Sequence, residues 1–246
     1  MIDHPSPNHD ARTDGTPVDM LVLHYTGMET GRAALERLCD PAAKVSAHYL
    51  IEEDGRIFRL VPEERRAWHA GVAYWRGNRD INARSIGIEL VNPGHEFGYR
   101  DFPPAQIEAL IELARGILER HPIPPYNVVG HSDVAPSRKT DPGERFPWRA
   151  LARAGIGVWP KQGIEPQPAA ARVGPVDAAP DAALAQRLLA RFGYEVEQTG
   201  RPDDRTMLAL AAFQRRFRPA QVDGRLDGET MALLSAAVAA ANGESI

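Results

Sequence analysis

Two short apolar runs that each stop at a histidine constrain this chain more tightly than anything else in it. Asp19-Met-Leu-Val-Leu-His24 and Asn127-Val-Val-Gly-His131 read as buried strands, since brief apolar stretches with polar ends suit the interior of a sheet. Ser85-Ile-Gly-Ile-Glu-Leu-Val91 reads as a third, with Ile86, Ile88 and Leu90 on one face and Gly87 and Glu89 on the other. Ser46 to Val61 reads as a hairpin around Asp54-Gly55, whose glycine permits the positive φ of a tight turn. Ile107, Leu110, Ile111, Ala114, Ile117 and Leu118 follow helical spacing instead, in a segment opened by Pro103-Pro104 and closed by Pro122. Thr30 caps a shorter helix through about Leu38, and Pro147 to Arg153 forms a closing one. Residues 1–17 read as an extended lead-in and residues 63–82 as a long loop. This alternation predicts an α/β fold, a mixed β-sheet flanked by helices.

Composition changes at about Trp159. From there to Pro180 the chain is rich in Pro, Ala, Gly and Gln without apolar periodicity, which predicts an extended linker over residues 159–179 between a unit of residues 1–158 and one of residues 180–246. In the tail, Leu184, Leu188, Leu189 and Phe192 mark one helix, Met207, Leu210, Phe213 and Phe217 a second, and Met231, Leu233, Leu234 and Val238 a third. The expectation is a second, small all-α domain of three helices. Gly200-Arg-Pro-Asp-Asp-Arg-Thr-Met207 and Gly224-Arg-Leu-Asp-Gly-Glu-Thr-Met231 share one pattern, with an aspartate placed to cap the helix that follows.

The 246 residues carry a net charge of −4, so no basic surface argues for a nucleic-acid partner. The single cysteine, Cys39, excludes an internal disulfide and a cysteine-built zinc cage. No run of about 18 apolar residues is present, so no transmembrane helix is expected. The opening Met1-Ile-Asp-His-Pro-Ser lacks the basic and apolar regions of a secretion signal. A cytoplasmic location follows as the expectation, with the periplasm or cell envelope as the alternative if a leader was removed or export is non-standard.

Of eight histidines, His4 and His9 lie in the polar lead-in, His95 in a surface turn and His121 at a helix end. His24, His48, His69 and His131 each adjoin a strand or a glycine-containing loop. If the strands ending in His24 and His131 are neighbours, their imidazoles meet. Asp141 can then complete two nitrogens and one carboxylate around zinc, leaving a position for water. The competing arrangement is a pair of core histidines with a loop aspartate capping a turn. Glu89, inside an apolar strand, is costly to bury unless a charged or hydrogen-bonding group meets it. A water on a metal would meet it, and the carboxylate could accept its proton as general base and return it to a leaving amine. Lys139, two residues before Asp141, shares its face in an extended segment and could stabilise an oxyanion, although a solvated loop lysine is the plainer reading. No His-Glu-x-x-His helix of a metalloprotease is present.

Five segments match a family in order: Leu21-Val-Leu-His-Tyr-Thr26, Val45-Ser-Ala-His-Tyr-Leu-Ile51, Ala67-Trp-His-Ala-Gly71, Ser85-Ile-Gly-Ile-Glu-Leu-Val-Asn92 and the stretch from Val129 to Gly143. They resemble the zinc-dependent N-acetylmuramoyl-L-alanine amidases of the type 2 amidase and peptidoglycan-recognition superfamily, most closely the anhydro-muropeptide amidases. The resemblance implies Zn2+ on His24, His131 and Asp141, Glu89 as catalytic acid and Lys139 as transition-state stabiliser. It also implies Trp68, His69 and Asn92 along a substrate groove, with His48 structural or close to substrate. The implied reaction is hydrolysis of the amide joining the lactyl group of N-acetylmuramic acid, or its anhydro form, to L-alanine of the stem peptide. The alternative is a non-catalytic protein that recognises muropeptides or peptidoglycan; such a protein would be expected to lose a ligand or catalytic partner, and here all five positions are filled. The tail resembles a three-helix peptidoglycan-binding module at Phe192-Gly-Tyr194, Thr206, Phe213-Gln214, Asp223-Gly224 and Thr230, and departs from it at Asp227 and in the basic cluster Gln214-Arg-Arg-Phe-Arg218. A wall-binding module on a linker raises the local concentration of an insoluble substrate.

Overall fold

Burial of the apolar runs builds a sheet, and the sheet then needs cover on both faces. The computed structural model describes residues 1–13, 15–160 and 181–243. The expected linker therefore lies, apart from Trp159 and Pro160, outside the described residues. In chain order the elements are β1 (Ile2–Asp3), β2 (His9–Ala11), β3 (Met20–Tyr25), α1 (Gly31–Cys39), β4 (Tyr49–Ile51), β5 (Ile57–Arg59), β6 (Arg65–Ala67), α2 (Ile81–Arg84), β7 (Ser85–Leu90), α3 (Gly94–Phe97), α4 (Pro104–Arg120), β8 (Val128–Gly130), α5 (His131–Val134) and α6 (Trp148–Arg153), followed by α7 (Ala182–Phe192), α8 (Asp204–Phe217) and α9 (Gly228–Ala241).

Six strands form one mixed sheet in the order β1-β5-β4-β7-β3-β8. Only β4 and β5 run antiparallel within it, joined by the expected turn in which Gly55 takes a φ of 87°. Period-two alternation sends Leu21 and Leu23, with Ile86, Ile88 and Leu90, into α4 residues such as Leu110, Ala114 and Ile117. Met20 and Val22 point the other way, with Val129, into Trp75, Leu189, Phe192, Tyr194, Phe213 and Phe217. Parallel strands buried on both faces require such a layer on each side. The tail helices supply much of the second layer, so α7–α9 and the sheet share one core. Arg76 strengthens the junction by donating to the carbonyl of Phe192 at 2.7 Å, and Arg79 pairs with Glu195.

The lead-in and the long loop are more ordered than their composition predicts. β2 pairs antiparallel with β6, and β1 adds a parallel edge beside β5. These strands span two or three largely polar residues, too few to show alternation. Arg12 stitches the region by donating to the carbonyls of Glu63, Asn82, Ala83 and Ser85 at 2.8–3.1 Å.

The caps read from the sequence form as expected. Thr30 accepts from the Ala33 N–H, Asp203 from Thr206 and Asp227 from Thr230. The tail repeat also extends further than its motif. Gln186 binds the Gly200 N–H and the Thr206 hydroxyl, and Gln214 binds the Gly224 N–H and the Thr230 hydroxyl in the same way.

A shared core predicts one cooperative unfolding transition for the whole chain. Phe192→Ala should cost about 3–5 kcal/mol, lowering that transition by about 10 °C in calorimetry. Two transitions, of which the substitution moves only one, would refute the shared core.

Candidate metal centre and groove

The sheet register assembles the site. His24 on β3 lies opposite Glu89 on β7 in parallel pairing, so both side chains leave the same face near the carboxyl end of the sheet. On the other edge of β3, Leu23 aligns with Gly130 of β8, and His131 follows at the start of α5. Clefts beyond the carboxyl ends of parallel strands are usual ligand sites. Asp141 is drawn in from the next loop, where its carbonyl accepts from the Ser132 N–H at 2.8 Å. His24 Nδ1 lies 3.0 Å from His131 Nδ1, and both lie 3.1 Å from Asp141 Oδ2. All three side chains are buried, and they are the one such ligand group among the described residues.

The surrounding hydrogen bonds assign the protons. The Ser85 hydroxyl donates to the Ile81 carbonyl at 2.6 Å, so its oxygen accepts from His69 Nε2–H at 3.1 Å. His69 Nδ1 is then left to accept from His24 Nε2–H at 3.1 Å, which strips His24 Nδ1 of its proton. His131 Nε2–H donates to the Ala70 carbonyl at 3.1 Å, leaving its Nδ1 bare as well. Two lone pairs and a carboxylate thus face one another with no proton between them. Burial above all drives the His24 imidazole down to about 4, so His24 does not relieve this repulsion by taking up a proton at neutral pH. A cation would, and two imidazole nitrogens with one carboxylate form a known donor set for catalytic zinc. Gly87 makes room for the relay: a Cβ there would sit 2.5 Å from the His69 ring.

His131 and Asp141 open into a groove of about 380 Å³ whose wall includes Tyr25, His69, Glu89, Lys139 and Thr140, and the buried His24 lies against both of them. Glu89 Oε2 is out of reach of solvent and has no hydrogen-bond partner. Burial, then Asp141, push its carboxyl well above the usual range, with Lys139 pulling the other way.

The family model for N-acetylmuramoyl-L-alanine amidases matches residues 14–144, more than half of the chain. The chain belongs to this amidase family. A second model, for a peptidoglycan binding domain, matches residues 178–234. The amidase AmiD of Escherichia coli is 42% identical over 233 residues, an alignment that spans 89% of this chain and 82% of AmiD. The 1,6-anhydro-N-acetylmuramyl-L-alanine amidase AmpD of the same organism is 38% identical over 161 residues, 58% of this chain and 86% of AmpD. Among solved structures, AmiD with anhydro-N-acetylmuramic acid-L-Ala-D-γ-Glu-L-Lys superposes with a TM-score of 0.78 at 40% identity, covering 92% of this chain and 91% of that one. AmpDh3 of Pseudomonas aeruginosa with an anhydromuramic pentapeptide gives 0.78 at 39% identity, covering 92% and 93%.

Of the residues singled out in this amidase, the structure brings His131, Asp141, Glu89, Lys139 and His69 to one groove and sets His24 against His131 and Asp141. Trp68, Asn92 and His48 do not line it. Trp68 is half-buried, its backbone N–H bound to Ser46. Asn92 holds the Arg100 carbonyl and the Gly94 N–H. His48 accepts from the Gly87 N–H at 2.9 Å and bonds the Arg65 carbonyl through Nε2 at 3.1 Å. Tyr25, Thr140 and Ser85 went unnoticed in the sequence. Tyr25, beside His24, binds both Thr140 and His95, and the only hint was its place at a strand end.

His48 supplies a pH test away from the donors. Burial, then Arg12, lower its imidazole to about 3, below an unfolded value near 6.5. The unfolded chain therefore binds the extra proton first, and stability present above pH 6.5 is lost as pH falls toward 3. Between pH 6.5 and 4.5 the parent should lose about 1.4 kcal/mol per pH unit more than His48→Asn in urea unfolding. Equal slopes would contradict the assignment.

Proposed function

We propose that this amidase is a zinc enzyme that cleaves the amide between the lactyl group of N-acetylmuramic acid, or its anhydro form, and L-alanine of the stem peptide. The observation that carries the reading is the convergence of three unprotonated donor atoms, two of whose residues line an open groove together with a carboxylate oxygen that has no partner. The donor set accords with zinc, and the ligands carried by the AmiD and AmpDh3 structures support muropeptides as the substrate class. We assign residues 1–158 to catalysis and residues 180–246 to peptidoglycan binding, with residues 159–179 between them.

His24, His131 and Asp141 would hold the ion, which supplies Lewis acidity and lowers the pKa of water. Glu89 accepts a proton from the attacking water and returns it to the departing amine of L-alanine, so the protein ends each cycle unchanged. A carboxylate made more basic by burial is suited to that exchange near neutral pH. Lys139, on the same wall, donates to the oxygen that gains charge as the carbonyl carbon becomes tetrahedral. The Ile81–Ser85–His69 chain holds His24 in the tautomer that exposes Nδ1.

Mass spectrometry of a muropeptide digest should show free stem peptide from zinc-loaded protein and none after chelation; intact substrate in both would refute the proposal. Glu89→Ala should retain zinc while activity falls by about 10²–10⁴. Loss of the metal in that variant would make Glu89 a ligand instead. Lys139→Ala should lower kcat by about 10²–10³ at unchanged zinc content.

A further inference from the structure

The basic cluster in which the tail departs from the binding-module pattern sends one residue, Arg216, to the strand and turn that flank His131. Arg216 is buried, with 3% of its surface exposed, and crosses from α8 to the sheet. There it donates to the carbonyl of Val128 at 3.0 Å and to that of Val158 at 3.1 Å, over the Trp148 ring. Val128 begins β8, the strand that leads into His131. The next turn is held by Asp133, also buried, whose Oδ2 accepts from the Gly130 N–H at 2.9 Å. The remaining partners of Asp133 come from the tail. The Tyr194 hydroxyl donates to Oδ1 at 2.6 Å, and Arg216 Nη1 lies 3.5 Å from Oδ2.

The geometry points to Tyr194 and Arg216 as positioning residues for His131: through Asp133 and Val128, the C-terminal helices fix the strand-to-helix turn that aims this metal ligand. The physical basis is the cost of a buried carboxylate without partners. Without the Tyr194 hydroxyl, Asp133 must move toward water or bond elsewhere. Either response loosens its hold on the Gly130 N–H, one residue before His131. The identification of His131 as a ligand rests on the zinc reading above.

The test uses the full chain. Tyr194→Phe keeps the ring against Trp75 and Phe192 and removes only the hydroxyl. Arg216→Lys keeps the charge and removes the fork. Arg79→Ala breaks the Arg79–Glu195 ion pair at the exposed rim of the same junction and serves as a control. Zinc affinity is measured by competition with a chromogenic chelator, and ligand geometry by the visible spectrum of the Co2+ form. Tyr194→Phe and Arg216→Lys should each weaken zinc binding about ten-fold and shift the Co2+ bands, while Arg79→Ala leaves both unchanged. Parental affinity and spectrum in whichever of the two variants folds would overturn the inference, as would an equal loss in Arg79→Ala. If the parent itself binds no zinc, the metal reading fails and not this one alone.

Discussion

The arrangement around His24 depends on a proton that is somewhere else. A neutral imidazole can present either nitrogen to a metal, and here the choice is made sixteen residues beyond His69, where the Ser85 hydroxyl is committed to the Ile81 carbonyl. That commitment passes through His69 and leaves His24 Nδ1 without hydrogen. Because the Ala70 carbonyl does the same for His131, the pocket is a negative cavity built before any ion enters it. Outer partners of this kind raise ligand basicity and restrict ring rotation, so the loop from Ala67 to Ala70 contributes to the site without reaching the ion.

The same economy of position governs the sheet. Parallel pairing of β3 with β7 and β8 places His24, Glu89 and His131 near the carboxyl end of the sheet only because each strand is buried on both faces and cannot slip by one residue without exchanging its faces. One face is held by α4, the other partly by the tail. Each buried aromatic of that second layer contributes about 1.5–3 kcal/mol, and Phe192, Phe213 and Phe217 together hold the register that presents the donors.

Much of this was legible in the sequence, for reasons that vary by residue. An acid in the middle of Ile-Gly-Ile-Glu-Leu-Val is anomalous on its own terms, so Glu89 announced itself, as did two strands that stop at histidine. The tight turn at Gly55 and the caps at Asp203 and Asp227 follow from local chemistry and need no tertiary information. Ser85, Tyr25 and Asp133 were hidden because their roles exist only in partners 3 to 115 residues away. Polar residues at the ends of strands are common and carry no mark of what they will meet. Trp68, Asn92 and His48 show the converse: motif neighbours of a site can serve the loops that frame it and stay out of the groove wall.

Arg216 shows how a shared core alters the logic of a two-part enzyme. From sequence, the run Gln214 to Arg218 reads as charge on a small helical unit whose value lies in tethering. Tethering on a flexible chain raises effective concentration without fixing direction. Burial of Arg216 against β8, with Tyr194 on Asp133, joins the helices to the turn behind His131. A surface engaged by those helices then has a fixed bearing on the groove, so the gain depends on geometry and is lost where the polymer cannot meet both faces at once. Arg216, from the cluster that departs from the binding-module pattern, and Tyr194, from a segment that matches it, together make the module part of the sheet it covers.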